Sequence, residues 1–494
     1  MREKAVIIGA GIAGLSVGCY LQKNGFNTLI VEAHDKPGGL CTSWRRNGYL
    51  IEGCIHGLLG SSPSHPLYEL WNELIDFQNI GFVHPDIKTV MIFPDGETFY
   101  QYADLERLSA YLLEISPEDK QPITEFINGA RYVQRFRMPL KARALFGLSD
   151  YLAMLRYLPS LSFIKKWNST SAEEFSARFK YPLLRRVFMH AISPVLFEMF
   201  VCAEMDLKRA GYPRCGSLQF SRLLEEKYIS LGGTVVYKSK VKRILVNNRT
   251  AQGVLMTSDI THEADIVISA ADARATIYDL LGVNYISTKV ERVFSQTRVN
   301  TSRIQVSLGV NRIISTPSIS TTLIPAEPVL LSDGSIHKSI AVLIFDEKYS
   351  SHTPPGKTLL TVQMETPNYS YWKDLREYNY SEYRLAKKRT AEAVISILEQ
   401  HWNGISEEIE MVDVATPATY IRYTDNWKGS TQGWSNDKLF GGKILKNRLP
   451  GLNNFYMVGQ WVEPGAGVPN VFLSGRNTAQ VITLDFGKQP TPDR

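Results

Sequence analysis

The first 32 residues restrict the fold of this chain more than any later stretch does. The sequence KAVIIGAGIAGLS contains an uninterrupted apolar run at residues 5–8, which is typical of a strand buried on both faces. Gly9, Gly11 and Gly14 follow it as a GxGxxG pattern. The first glycine permits a tight turn, the second lets the backbone approach a pyrophosphate, and the third lets a helix pack against the strand. The pattern therefore predicts a strand, a turn and a helix whose N-terminus can bind phosphate groups.

An acidic residue ends the next predicted strand. Residues 28–31 read TLIV, and Glu32 follows them, about 20 residues beyond the turn, where a carboxylate accepts hydrogen bonds from an adenosine ribose. The same carboxylate repels a 2′-phosphate, which disfavours NADP in this cleft. An ordinary glycine-containing turn is the alternative, but strand, helix, second strand and acid occur in the expected order. We therefore expect an ADP-containing dinucleotide.

The residues after Glu32 distinguish FAD from NAD. The sequence EAHDKPGGLCTSWRRNGYLIEGCIHGL places Gly38 and Gly39 shortly after the acid. This arrangement resembles the E-x5-GG motif of FAD-dependent amine oxidases, protoporphyrinogen oxidase, phytoene desaturases and carotenoid isomerases. In those families the loop passes beside the ribityl chain and pyrophosphate, and the segment that matches residues 48–56 returns toward the flavin ring. NAD dehydrogenases usually lack this second segment, so the resemblance implies FAD.

The resemblance continues in the middle of the chain. Residues 211–276 look like the middle FAD segment of the phytoene desaturase and carotenoid isomerase group. In that group the residue matching Val241 contacts the adenine through its backbone. The residues matching Ala270 and Ala271 lie near the ADP moiety. The resemblance therefore implies that a second, distant segment completes the dinucleotide site.

A further glycine-rich turn lies in the last forty residues. The sequence VGQWVEPGAGVPNVFLSG spans residues 458–475, and phytoene desaturases carry a similar loop before their final helix. Gly467 permits close backbone approach, and the N–H of Val468 would face the pyrimidine edge of the flavin. Pro469 near the first helical position is also typical of an ordinary helix cap. Gln460 departs from the pattern, since many flavin oxidoreductases have an acid directly after this glycine.

These motifs together supply the residues that we expect to bind FAD. They are Gly9, Ala10, Gly11, Ile12, Ala13, Gly14, Glu32, Ala33, Gly38, Gly39, Leu40, His56, Gly57, Val241, Ala270, Ala271, Gly459, Gln460, Gly467, Val468 and Pro469.

The predicted fold class is α/β with two domains. A Rossmann-like, three-layer FAD-binding domain with a parallel sheet is expected from residues 1–76, 211–289 and 415–494. An inserted α+β substrate-binding domain is expected from residues 77–210 and 290–414.

Bulk composition excludes several classes of protein. The chain has 494 residues, 44% hydrophobic and 21% charged, with a net charge of +6. This is too weakly basic to indicate nucleic-acid binding, and no zinc-finger or RNA-binding signature is present. The five cysteines show no CxxC pair and no metal-ligand spacing, so we expect no metal and a reducing compartment. The first residues already follow a strand pattern, so we expect no signal peptide. No stretch of the sequence is apolar over the length that a membrane-spanning helix needs. We therefore expect a cytoplasmic protein that is soluble or peripheral on the inner face of a membrane.

One segment of the predicted substrate domain, residues 131–167, combines basic and apolar residues. Its basic residues are Arg131, Arg135, Arg137, Lys141, Arg143, Arg156, Lys165 and Lys166, opposed by Asp150. Leucine and aromatic residues lie between them. Such a segment is typical of an anionic membrane interface, and a cationic helical face over an ordinary core is the alternative. We expect a membrane-docking helical segment here; the oligomeric state stays open.

Candidate catalytic residues come from short motifs that are expected to face the flavin. The chemistry of flavin enzymes on carbon–carbon bonds needs little from the protein beyond orientation and an acid or base. Glu52 and His56 in IEGCIHG, Arg422 and Tyr423 in TPATYIRYTD, and Glu463 are candidates by motif. Glu52 and His56 could instead hydrogen-bond loop backbone, and Arg422 could pair with an acid.

The resemblance implies an FAD-dependent oxidoreductase that desaturates, saturates or isomerises the double bonds of a long apolar polyene or isoprenoid. A flavin amine oxidase or another lipid oxidoreductase is the first alternative. A non-enzymatic lipid-binding protein, like the Rab GDP-dissociation inhibitors, is the second. Those proteins have lost parts of the FAD motifs, whereas this chain keeps them.

Overall fold

The computed structural model describes residues 2–136, 140–142, 145–346, 351–435, 444–463, 465 and 467–491. The strands within these ranges are β1 (Lys4–Ile8), β2 (Asn27–Val31), β3 (Ser43–Arg46), β4 (Tyr49–Glu52), β5 (Leu58–Leu59), β6 (Phe82–Val83), β7 (Ile87–Ile92), β8 (Thr98–Tyr102), β9 (Ala210–Pro213), β10 (Thr234–Val236), β11 (Val241–Asn247), β12 (Thr250–Met256), β13 (Thr261–Glu263), β14 (Ile266–Ser269), β15 (Ser302–Val310), β16 (Ser320–Leu323), β17 (Val329–Leu330), β18 (Ile336–His337), β19 (Ile340–Phe345), β20 (Thr358–Thr366), β21 (Ile409–Ala415) and β22 (Phe455–Met457).

The α-helices within the same ranges are α1 (Ile12–Lys23), α2 (Leu67–Asn72), α3 (Phe77–Ile80), α4 (Leu105–Ile115), α5 (Lys120–Val133), α6 (Leu148–Leu155), α7 (Ser160–Ser169), α8 (Ala172–Ser176), α9 (Pro182–Met189), α10 (Val195–Asp206), α11 (Gly216–Ser230), α12 (Thr288–Gln296), α13 (Tyr369–Tyr378), α14 (Tyr380–His401), α15 (Pro417–Thr424) and α16 (Val468–Asp485). A π-helical segment (Ala275–Leu281) and short 3₁₀ turns connect some of them.

Five parallel strands form a sheet in the order β10–β2–β1–β14–β22. In β1, Ala5 and Ile7 pack into the apolar core on one face, whereas Val6 and Ile8 pack into the core on the other. Both faces are covered, and the strand therefore needs consecutive apolar residues. The doubly buried strand predicted at residues 5–8 is confirmed.

The parallel sheet is the middle of three layers. Helices α1, α11 and α16 cover one face, and the antiparallel strands β11, β12 and β13 cover the other. Close helix packing depends on Gly475 of α16, because a Cβ added there would lie 2.7 Å from the Ala13 carbonyl oxygen. The hydroxyl of Ser16 on α1 donates to the Phe472 carbonyl of α16 at 2.8 Å. The first and last helices of the chain are therefore joined at the sheet.

A second, seven-stranded sheet has the order β21–β15–β20–β19–β16–β7–β8. Its pairs are antiparallel except β16 with β7. Helices α13 and α14 pack on one face around the buried ring of Trp372, whose indole N–H donates to Asp333 at 2.9 Å. A separate helical core contains α4, α5 and α7 to α10. Inside it, Lys88 of β7 forms a buried ion pair with Glu198 of α10.

The hairpin β3–β4 connects the two sheets. Its residue Tyr49 is buried among residues of the seven-stranded sheet, and the phenol donates to Glu410 at 2.9 Å. Gly309 of β15 makes room for this ring, since a Cβ there would lie 2.4 Å from it. The β3–β4 hairpin therefore lies against the face of the seven-stranded sheet that is opposite α13 and α14.

The predicted fold class is confirmed: a three-layer α/β unit with a parallel sheet is built from separated segments and carries an additional sheet and helices. The exact residue limits of the two domains stay a prediction. In the part of the chain that the structure describes, no helix has the length and apolar character needed to cross a bilayer.

Candidate active site

The glycine turn after β1 is held by backbone contacts. Gly9 has φ = 100° and its N–H donates to the Val31 carbonyl at 2.8 Å. The N–H of Gly38 donates to the Ala10 carbonyl at 2.9 Å, so the Gly38-Gly39 loop lies directly on the turn. Gly14 brings α1 against the sheet, because a Cβ there would lie 2.0 Å from the Gly9 carbonyl oxygen. The predicted roles of Gly9 in the turn and of Gly14 in helix packing agree with these contacts, whereas the approach of a pyrophosphate to Gly11 stays a prediction.

The space in front of α1 is lined by bare backbone. A Cβ added to Gly11 would meet no described atom closer than the Gly38 carbonyl oxygen, at 3.9 Å. A Cβ on Gly39 would lie 3.6 Å from the Gly11 Cα. No side chain caps the N-terminus of α1, and the first N–H groups of a helix lack intrahelical partners. These features fit the pyrophosphate of a dinucleotide.

Glu32 lies at the end of β2 and is nearly buried, with 9% of its surface exposed. Its carboxylate accepts the N–H of Ala10 at 2.6 Å and the N–H of His34 at 2.8 Å. Each oxygen keeps a further lone pair, so the carboxylate can also accept ribose hydroxyls. The neighbouring Ala33 is exposed.

The middle segment completes this end of the site. The N–H of Ser239 donates to the Glu32 carbonyl at 2.8 Å, which places the start of β11, with Val241, beside the acid. Ala270 follows β14, its N–H donates to the Ile8 carbonyl at 2.9 Å, and its Cβ would lie 3.2 Å from one added to Gly14. The structure thus places the start of β11, with Val241, near Glu32 and places Ala270 next to the glycine turn. Their contacts with a cofactor stay a prediction.

The second glycine-rich turn meets the first. The N–H of Gly459 donates to Ser474 at 2.9 Å, and a Cβ on Gly459 would lie 3.4 Å from the Ala13 Cβ on α1. Gly467, with φ = 89°, precedes α16, and Val468 and Pro469 form its first turn without a side-chain cap. Pro464 and Ala466 of the same loop lie outside the described residues. Two helix N-termini therefore belong to one region, although the motifs lie at opposite ends of the chain.

A buried polar cluster lies where the segment after β4 meets the seven-stranded sheet. The Glu52 carboxylate accepts the N–H of Ser217 at 2.8 Å, and the Gln305 side chain donates to the Glu52 carbonyl at 3.0 Å. The other Glu52 oxygen lies 3.2 Å from Nε2 of His352, an ion-pair distance, although the ring N–H is not aligned for a hydrogen bond. Glu52 is 2% exposed. These contacts favour a structural role for Glu52 in joining the two sheets.

His56 is held by an amide chain. Nε2 of Gln363 donates to Nε2 of His56 at 2.8 Å and to Oε1 of Gln305 at 3.1 Å. Nη1 of Arg303 donates to Oε1 of Gln363 at 3.3 Å. Burial lowers the pKa of His56 to about 4; the charge of Glu52 opposes this shift, and Arg303 reinforces it. The imidazole is therefore neutral at pH 7.

The partner of Nε2 determines the tautomer of His56. Because Nε2 accepts a hydrogen bond, the proton of the neutral ring belongs on Nδ1. Nδ1 is buried and has no hydrogen-bond partner among the described residues. A buried donor without a partner is costly, so this N–H is available to a bound ligand. Gly57, the next residue, is exposed and has φ = 146°.

Arg422 lies elsewhere. Its side chain is exposed and donates to the Tyr423 hydroxyl at 2.6 Å, and the Tyr423 ring packs edge-on against His34, two residues after Glu32. The structure thus places Arg422 and Tyr423 near the predicted ribose end and does not bring them to Glu52 and His56. A catalytic role for Arg422 remains an untested prediction that these contacts do not favour.

Sequence reasoning missed the residues that surround His56. They are Arg303 and Gln305 on β15, Gln363 on β20 and His352. Alternation in SRIQVSLGV would have found the first two, since Ile304, Val306 and Leu308 belong to the other face. His352 gives no such signal, because it lies in a loop.

The family of the chain follows from its sequence as a whole. Residues 12–483 match the family described as flavin containing amine oxidoreductase. The chain belongs to this family. The chain is therefore an FAD-dependent oxidoreductase, which confirms the predicted cofactor and enzyme class. FAD, when bound, supplies the redox step.

The similarity to known relatives extends over nearly the whole of this chain. It is 24% identical to a phytoene desaturase (lycopene-forming) from Paracoccus sp., with 98% of each chain covered. It is also 24% identical to prolycopene isomerase 1 from an Oncidium hybrid cultivar, over 98% of this chain and 84% of the relative. An oxidoreductase from Methanosarcina mazei has the same fold, with a TM-score of 0.60 at 17% identity, covering 97% of this chain and all of that one.

Proposed function

We propose that this enzyme acts on the carbon–carbon double bonds of a long apolar polyene or isoprenoid. The observation that carries the proposal is the full-length similarity to relatives named for both desaturation and isomerisation of carotenoids. The flavin amine oxidase alternative shares the fold, but the curated relatives that match this chain do not favour it. The non-enzymatic alternative lacks support as well, because the chain belongs to an enzyme family.

We further propose that the neutral His56 contacts the reacting end of the substrate. Its Nδ1–H is a buried donor without a partner among the described residues, and Gln363 fixes the ring. Because the pKa of His56 is about 4, the side chain stays a neutral donor over the range in which flavin enzymes are assayed. Its contribution to turnover should therefore not change between about pH 6 and about pH 9.

The substrate class also bears on where the enzyme works. A long polyene dissolves in lipid and not in water, so we propose that the enzyme works at the cytoplasmic face of a membrane. All five cysteines are free thiols, which supports a reducing compartment.

The test is turnover by the FAD-loaded protein of phytoene and prolycopene dispersed in detergent, followed by absorbance and mass spectrometry. Loss of two hydrogens to oxidised FAD identifies desaturation, gain of two after the flavin has been reduced with dithionite identifies saturation, and unchanged mass with a shifted spectrum identifies isomerisation. Bleaching of the flavin by putrescine, with no change of either polyene, would instead establish the amine oxidase alternative.

His56→Gln is the matched variant for the proposed contact, because it keeps a polar side chain of similar length. We expect FAD content to be retained and turnover to fall by about tenfold or more. Unchanged turnover would remove His56 from the site.

A further inference from the structure

Helix α6 and the start of α7 lie at the outer edge of the helical core. Helix α6 buries none of its residues. Its apolar side chains and those that follow it are largely exposed, which we call the apolar corner: Leu148 (77%), Tyr151 (56%), Leu152 (57%), Leu155 (54%), Leu158 (57%) and Leu161 (55%). A helix with nothing to cover its leucines is unstable in water. Contiguous exposed apolar surface of this kind marks an interaction site.

A cleft opens beside the apolar corner, between the end of α5 and the α6–α7 turn. It has a volume of about 390 Å³ and is lined by Tyr132, Arg135, Phe136, Arg156, Tyr157 and Ser160. The rings of Phe136 and Tyr157 stack with centroids 5.8 Å apart. The Arg156 guanidinium lies over the Tyr157 ring, 4.9 Å from its centroid, and donates to the phenol oxygen at 2.8 Å. The cleft therefore combines aromatic walls with two guanidinium groups.

The charges around this corner are unbalanced. Three nearby cations are paired with acids: Lys141 with Asp150, Lys166 with Glu125, and Arg131 with Glu106. By contrast, Arg135, Arg156 and Lys165 have no carboxylate partner within ion-pair distance among the described residues. Arg137 and Arg143, which belong to the same sequence segment, lie outside the described residues.

We propose that the apolar corner docks on an anionic phospholipid bilayer and that the cleft between Arg135 and Arg156 holds a lipid phosphate. The leucines would enter the boundary between headgroups and acyl chains, where amphipathic helices bury their apolar face. Guanidinium groups bind phosphate oxygens through paired N–H groups. The aromatic rings stand at the headgroup level that tyrosine favours in membrane proteins.

The unpaired cations argue against a second copy of the chain as the occupant. A symmetric dimer buries the same patch of both subunits. It would thus bring Arg135, Arg156 and Lys165 of one copy close to the same residues of the other. An anionic bilayer neutralises these charges instead. The docking surface deepens the proposed function, since a substrate dissolved in lipid would reach the enzyme there.

The test measures co-flotation of the FAD-loaded protein with vesicles, without substrate. The vesicles contain phosphatidylcholine alone or with about one third phosphatidylglycerol, at salt from about 50 mM to about 300 mM. We expect binding only to the anionic vesicles and weaker binding at high salt. Because each cation near such a surface contributes about fivefold, Arg135→Gln with Arg156→Gln should weaken binding by about 25-fold at low salt. Leu152→Ser with Leu155→Ser should abolish it.

Matched controls come from exposed residues outside the apolar corner and the cleft. Ile260 is 57% exposed and Arg292 is exposed; Ile260→Ser and Arg292→Gln should bind vesicles as the wild type does. All variants should keep their flavin and apparent melting temperature, because the altered side chains are exposed.

Three results would overturn the docking proposal: binding that ignores lipid charge, wild-type binding by the double-serine variant, or a solution dimer that this variant dissociates. Turnover of detergent-dispersed polyene is measured separately. Vesicle binding without turnover would refute the proposed function and leave the docking surface standing. Turnover without vesicle binding would do the reverse.

Discussion

Alanine at two glycines of the first motif should have different effects, because Gly14→Ala should lower the stability of the apoprotein and Gly11→Ala should lower its affinity for FAD. In Gly14→Ala the new Cβ would lie 2.0 Å from the Gly9 carbonyl oxygen and 3.2 Å from the Ala270 Cβ. The first atom is backbone and the second is a β-carbon, and each belongs to the residue directly after a strand of the parallel sheet, so neither can rotate away. Overpacking of this kind costs about 1–3 kcal/mol or more, while the better helix propensity of alanine returns about 1 kcal/mol. We therefore expect Gly14→Ala to destabilise the protein even without FAD.

Gly11→Ala should leave the apoprotein intact. The residue has φ = −69°, which any amino acid adopts, and the nearest described atom to its new Cβ lies 3.9 Å away. The cost of replacing glycine at a helix N-cap is about 1 kcal/mol or less. The methyl group would nevertheless fill the space that we assign to the pyrophosphate. We expect the FAD dissociation constant to rise by about tenfold or more, or about 1.4 kcal/mol.

The assay is thermal unfolding of the apoprotein together with FAD titration followed by fluorescence quenching. Gly147→Ala is the control, because Gly147 is also a helix N-cap with ordinary dihedrals (φ = −92°) and room for a Cβ. It should change neither stability nor FAD affinity appreciably. Wild-type FAD affinity in Gly11→Ala would refute the placement of the pyrophosphate. An unaltered melting temperature in Gly14→Ala would refute the packing argument.

Three further predictions concern buried polar groups. His352→Gln removes the imidazole that lies 3.2 Å from Glu52, and we expect a loss of about 1–3 kcal/mol in denaturant unfolding; an unchanged midpoint would show that the pair does not join the sheets. Because burial lowers the pKa of His56 to about 4, the unfolded chain takes up a proton first as the pH falls below about 6.5, and stability should drop by about 2 kcal/mol by pH 5. His56→Gln should lack this part of the pH dependence in melting scans. Burial raises the pKa of Glu204 to about 7, so stability is lost as the pH rises from about 4.5 through 7. At about pH 8 the free energy of unfolding of Glu204→Gln should therefore exceed that of the wild type by about 1–3 kcal/mol, and at about pH 4 it should not exceed it. The same difference in unfolding free energy at both pH values would contradict a raised pKa of Glu204.

Local patterns allowed much of the fold to be predicted. The sequence of residues 217–231 predicts a helix, and the structure has α11 (Gly216–Ser230) there. The neighbouring Asn247 and Asn248 predict a hairpin, which the structure shows between β11 and β12. Asn248 has φ = 45°, a conformation that asparagine tolerates better than most residues. The sequence FYMVGQ at residues 455–460 predicts a buried strand, but β22 is shorter, because its pairing with β14 ends at Met457.

Contacts between residues that are far apart in the sequence were harder to predict. The alternatives of a docking helix and a helical face over a core were both open for residues 131–167. The structure supports a core-covering face at Trp167 of α7, which is 2% exposed, whereas α6 buries no residue and its docking on a membrane stays a proposal. Composition cannot distinguish these cases, because the same leucines suit a core or a membrane. Only the packing of neighbouring helices decides which of them is covered.

The sequence by itself determined the dinucleotide-binding elements, the cofactor and the family. A glycine turn between a strand and a helix depends on backbone geometry over a few residues, and the sequence encodes that geometry directly. The tertiary structure alone decided what surrounds His56 and where Arg422 lies. Gln363 is 307 residues from His56 along the chain, and Gln305 is 253 residues from Glu52. Strand alternation shows that two residues share a face, but it does not show which loop packs on that face, because that depends on how the separated segments assemble.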